Sequence, residues 1–120
     1  MTVRRLKTYT GQTGYVYQYY FVGKREALPE WNEAPATEFI FDVNSDRKLT
    51  YAVSVFLPRS AVDAWAAHHG RSITEPEQYA AAKMRLQRAF DEIPDMLTQG
   101  RHLVVAPDLL EELLAELGIE

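Results

Sequence analysis

The chain has 120 residues, of which 47 % are apolar and 25 % charged, with a net charge of −4 and no cysteine. A chain of this size supports one core burying roughly two thirds of the extended-chain surface, and its composition excludes the disordered and low-complexity classes. The missing cysteines exclude disulfides, thiolate metal centres and cysteine nucleophiles. With apolar stretches far too short for a bilayer and no apolar leader at the N-terminus, a soluble cytoplasmic protein without membrane contact is expected.

The charge is unevenly spread. Residues 1–25 hold Arg4, Arg5, Lys7, Lys24 and Arg25 and no acid, so they carry +5 and the rest of the chain −9. Beyond Pro107 stand Asp108, Glu111, Glu112, Glu116 and Glu120 with no base. Opposed patches of this kind favour association, within a chain or between copies.

The first predicted element is a hairpin, with strands near 3–10 and 15–23 around Gly11-Gln12-Thr13-Gly14. A four-residue loop sets Thr10 opposite Tyr15, Thr8 opposite Tyr17 and Leu6 opposite Tyr19. Arg5, Lys7 and Tyr9 then share the wetter face with Val16, Gln18 and Tyr20. Residues 25–35, with Pro29, Trp31 and Pro35, read as a loop pinned by Trp31. A second hairpin follows, strands 37–43 and 48–57. Only a loop of three or five residues puts Phe39, Phe41 and Val43 on the same face as Leu49, Tyr51, Val53 and Val55, because a one-residue slip inverts a strand.

The period then changes from two to 3.6. Ser60 and Asp63 resemble a cap, Val62, Trp65, Ala66 and His69 form one stripe, and Gly70 suits a helix end, which predicts a helix over 60–69. Thr74-Glu75-Pro76-Glu77 combines a threonine cap, a glutamate three residues on and a proline in the first turn. It opens a helix over 75–93 with Tyr79, Ala82, Leu86, Phe90 and Ile93 inward, ended by Pro94. His102–Val105 reads as a brief edge strand. A terminal helix over 108–117 carries Leu109, Leu110, Leu113, Leu114 and Leu117 on one stripe, which must dock on its own sheet or on another subunit.

Strands first and helices second predict one α+β domain over 1–120: an antiparallel sheet of four to five strands from two hairpins, with three helices packed on one face. An RNA-recognition-motif or ferredoxin-like order is excluded, since it needs a helix between the first two strands.

No constellation predicts catalysis, a cofactor or a metal. His68 and His69 diverge by about 100° on a helix, which makes joint metal binding difficult, and no HExxH pattern is present. His69 is expected at the core margin, His68 in solvent, and His102 on a strand edge. Gly11-Gln12-Thr13-Gly14 joins two strands and lacks the helix N-terminus that a phosphate loop requires. Glu38, Asp42, Glu75, Glu77, Asp91 and Glu92 are expected to face solvent, whereas acid–base catalysis needs a sequestered pair.

What remains is binding. The leucine-rich acidic terminal helix, with Leu113 and Leu117, and the basic hairpin suggest a non-catalytic protein-interaction or self-association module, quite naturally a homodimer. The alternative is a single-stranded nucleic-acid binder in which Tyr9 and Tyr20 stack on bases while Arg5 and Lys7 hold phosphates.

Overall fold

The structure, a computed structural model, describes residues 6–11, 14–27, 35–45 and 49–119. Strands β1 (Lys7–Thr10), β2 (Val16–Glu26), β3 (Ala36–Asn44) and β4 (Thr50–Pro58) precede helices α1 (Arg59–His69), α2 (Glu75–Glu92) and the short α3 (Met96–Gln99). Strand β5 (His102–Val104) and helix α4 (Pro107–Glu116) close the fold. The sheet order is β1-β2-β3-β4-β5, antiparallel except for β5, which runs parallel to β4. A parallel neighbour cannot be reached by a tight turn, and the segment carrying α1, α2 and α3 supplies the crossover. The result is the expected α+β sheet with helices on one face; α3 is the one helix the sequence pattern did not indicate. Asp95 caps it, its carboxylate accepting from the Thr98 amide. Among the described residues no helix is long and apolar enough to cross a membrane.

The second hairpin has the expected odd loop, five residues between Asn44 and its partner Thr50. Val43 therefore opposes Tyr51, Phe41 opposes Val53 and Phe39 opposes Val55, all six side chains buried under the helices.

The first hairpin differs from expectation by one residue. Thr10 pairs with Val16 and Tyr9 with Tyr17, so the loop has five residues and not four. The Gly11 amide donates to the Tyr15 carbonyl at 2.8 Å, and the Gly14 amide to the Gly11 carbonyl at 3.0 Å. Gly14 has φ of 90°, in the left-handed region that favours glycine. Tyr15 falls out of the ladder into solvent, and Lys7 and Tyr9 move to the helix-covered face beside Tyr17 and Tyr19. The aromatic partner across the core is Phe90 of α2, stacked on Tyr17 at 4.1 Å and 5.8 Å from the rings of both Tyr9 and Tyr19. Further along β2 the register shifts between Phe21 and Gly23. The bulge leaves Val22 unpaired and turns Lys24 to the helix side, where its ammonium lies 3.4 Å from Glu75.

Helix α1 uses no side-chain cap, contrary to the reading of Ser60. It follows directly on Pro58, and the Arg59 amide donates to the Pro35 carbonyl at 3.0 Å. Its end is as expected: Gly70 has φ of 70° and its amide reaches the Ala66 carbonyl. Helix α2 begins with the full capping box, Thr74 Oγ1 accepting from the Glu77 amide and Glu77 Oε1 from the Thr74 amide. Ala82, Leu86 and Phe90 bury its inner stripe.

Helix α4 docks on α1 and α2 of its own chain. Leu110, Leu113 and Leu114 are completely buried there, whereas Leu117 is 42 % exposed. The leucine stripe is thus divided, with Leu113 in the core and Leu117 at the surface. Residues 28–34, including Trp31, lie outside the described residues.

Candidate functional site

The sheet has two unlike faces. One is packed under α1 and α2. The other is set by Gln18 and Tyr20 of β2, Glu38 and Asp42 of β3, Ser54 and Phe56 of β4 and Val104 of β5; no described helix packs on it, although Glu38 and Phe56 are only 6 and 4 % exposed within the chain. Its exposed apolar side chains are Val16, Val22 and Val104, at 45, 38 and 41 %.

Five polar side chains on this face, Tyr20, Asp42, Arg25, Glu38 and Ser54, are engaged with one another. Tyr20 donates its hydroxyl to Asp42 Oδ2 at 2.7 Å. Glu38 accepts from Arg25 Nε at 2.9 Å and from the Ser54 hydroxyl at 2.6 Å. Glu38 is only 6 % exposed, a correction to the solvent-facing position expected for it. It stands on a central strand between Arg25 of β2 and Phe56 of β4, its two cross-strand neighbours. Burial pushes the Glu38 carboxyl up, but the hydrogen bonds from Arg25 and Ser54 and the charges of Arg25 and His102 outweigh it and hold the group below the usual carboxylate range. His102 lies beside this network, its ring stacked on Phe56 at 6.1 Å.

The residues singled out in sequence as an interaction surface are separated by the fold. Tyr20 is on the bare face, while Lys7 and Tyr9 lie on the other, where Tyr9 donates to Asp91 Oδ2 at 2.6 Å. Lys7 neighbours Lys83, and burial together with the Lys7 charge holds the Lys83 ammonium below its ordinary value. Arg5 lies outside the described residues. Leu113 is core and Leu117 sits at the far end of α4.

A cleft of about 460 Å³ opens between β1, α2 and α4, lined by Tyr9, Gln87, Arg88, Asp91 and Glu116 among others. Several of its polar groups are bonded within the chain. Arg88 bridges Glu112 at 3.1 Å and Glu116 at 2.8 Å, and Gln87 donates to the Tyr19 hydroxyl at 2.7 Å.

A third grouping forms where α1 ends against α4. His68 Nδ1 and His69 Nε2 each approach the Glu111 carboxylate at 2.7 Å. Sequence reasoning missed it because Glu111 is 42 residues from His69, and nothing local to either helix announces the meeting. Compared with protein-family models, curated proteins and solved structures, the chain matches none of them.

Proposed function

We propose that the protein acts by binding rather than by catalysis, and that the part of the outer sheet face carrying the exposed Val16, Val22 and Val104 is covered by the same face of a second copy. The observation that carries this reading is the internal pairing of five polar side chains there. Tyr20 with Asp42, and Arg25 and Ser54 with Glu38, satisfy one another within the chain. Desolvating groups already bonded costs far less than burying unmet ones. What such a surface offers a partner is aliphatic: Val16, Val22 and Val104.

Size supports a second copy as the occupant. The five strands contain 36 residues; at about 4.8 by 3.3 Å each they span roughly 600 Å² per chain. Two such faces give at most about 1,200 Å², less the area over Glu38 and Phe56 that one chain already covers, which is the size of a weak, reversible self-association. Face-to-face packing about a two-fold axis closes the assembly and leaves no further face to propagate. Charge supports it too: Glu38 and Asp42 offset Arg25 on this face, which gives a polyanion little to hold. The nucleic-acid alternative loses its platform, since Tyr9 and Tyr20 are on opposite faces.

Sedimentation equilibrium on the full chain and on a Val22→Lys/Val104→Lys variant tests this. Both valines are exposed, so the variant is expected to keep its circular dichroism and melting temperature. The wild type should have twice the 13.8 kDa chain mass and the variant the mass of one chain. A monomeric wild type at its highest soluble concentration, or a variant that still dimerises, would overturn the proposal.

A further inference from the structure

The junction of α1 and α4 carries a second and independent inference. We propose that His68, His69 and Glu111 form a three-ligand site for a divalent transition-metal ion of the zinc class, tying the end of α1 to α4.

The geometry answers the objection that neighbouring histidines diverge. His68 presents Nδ1, close to its own backbone, while His69 presents Nε2, at the far end of its ring. Unequal reach compensates for the angle between the two side chains, and the ring centroids end 4.7 Å apart. One ligand atom from each of the three residues lies within 4.8 Å of the others. Ligands about 2.0–2.1 Å from a tetrahedral zinc ion are about 3.4 Å from one another, so small side-chain adjustments close the three atoms around an ion. Two imidazoles and one carboxylate are the donor set preferred by zinc, cobalt and nickel, and not by magnesium or calcium.

The supporting structure is rigid. The His69 ring stacks on Trp65 at 4.1 Å and 19°, and Trp65 is itself 1 % exposed. Glu111 follows Leu110 and precedes Leu113 and Leu114, whose complete burial fixes the position of α4. The site also lies at the C-terminus of α1, the negative end of the helix dipole, where positive charge is favoured. Arg71, the nearest cation in sequence, is drawn to Glu77 through both carboxylate oxygens at 3.0 Å. The His68 side chain is 73 % exposed, so an ion can enter from solvent and keep a water in its fourth position, the arrangement of an open site rather than a closed structural one.

The test is titration of the full chain with zinc chloride by calorimetry, and with cobalt(II) by absorption spectroscopy, for the wild type, His68→Asn and Glu111→Gln. His68 is largely solvated, so metal-free His68→Asn is expected to keep the wild-type circular dichroism spectrum and serves as the fold control. The wild type should bind one zinc ion per chain, melt at higher temperature with zinc, and give the intense visible bands of tetrahedral cobalt. Each substitution should weaken zinc by at least about 10- to 100-fold, the loss caused by removing even a supporting residue of such a site. Zinc binding that is absent, or equal in wild type and His68→Asn, would overturn the assignment, as would a cobalt spectrum of the weak octahedral kind.

Discussion

The Tyr9 hydroxyl donates to Asp91 Oδ2 at 2.6 Å, joining the first strand to the last turn of α2 across 82 residues of chain. The hydrogen bond to the carboxylate, with burial and the Asp91 charge adding to it, pushes the Tyr9 hydroxyl up to about 12. A raised pKa here means that the fold favours neutral Tyr9. The stability it lends is fully present below the ordinary value of 10.0 and is lost as pH rises from there toward 12. Tyr9→Phe should cost about 1–2 kcal/mol at pH 7, measured by urea unfolding, and should remove a tyrosine that ionises near pH 12 from the ultraviolet titration.

The two leucines at the end of the chain should behave differently. Leu113 is completely buried and Leu117 is 42 % exposed. Leu113→Ala should destabilise the protein by about 2–5 kcal/mol through lost burial and the cavity left behind. Leu117→Ser should change stability by no more than about 0.5 kcal/mol. Thermal and urea unfolding of the two variants side by side distinguishes a core stripe from a surface one.

The start of α2 offers an acid-side counterpart. The hydrogen bond from Arg71, followed by the Thr74 amide, holds the Glu77 carboxyl down to about 2. A depressed carboxylate contributes stability that is present above its ordinary value of 4.5 and is lost as pH falls toward 2. Carbon-13 NMR should show the Glu77 carboxylate still ionised well below its ordinary value of 4.5. Thr74→Ala removes the capping acceptor and should cost about 1 kcal/mol.

Ser54 donates at 2.6 Å to the nearly buried Glu38. Ser54→Ala leaves that carboxylate with one donor fewer and should cost about 1–3 kcal/mol by urea unfolding at pH 7. Because Glu38 is held below its ordinary value, the penalty should shrink as the solution is acidified below the usual carboxylate range.

How far the sequence disclosed this architecture depended on local contrast. The second hairpin was readable because Phe39, Phe41 and Val43 alternate with Glu38, Ile40 and Asp42, and only an odd loop buries both strands together. The first hairpin was not, since tyrosines occupy both parities of β2, at Tyr17 and Tyr19 and again at Tyr20. Tyrosine suits either face, and the choice lies with Phe90 and Asp91, more than sixty residues away. Thr74 and Glu77 announced α2 because a capping box is satisfied within four residues, while the short α3 carries too few residues to show a period. The leucine stripe of α4 was visible, but its division between core and surface is set by packing on α1 and α2. The meeting of His68 and His69 with Glu111, like the burial of Glu38, is a tertiary event with no local signature.

The central claim, that a second copy covers the exposed valines of the outer sheet face, is tested most directly by the solvent exposure of their methyl groups. In the methyl-labelled wild-type protein, relaxation by an inert, soluble gadolinium chelate should leave Val22 and Val104 as protected as core methyls, although each is more than one-third exposed in a single chain. A single Val22→Lys substitution should also disrupt the contact and restore full relaxation at Val104. Strong relaxation of both valines in the wild type would contradict the account.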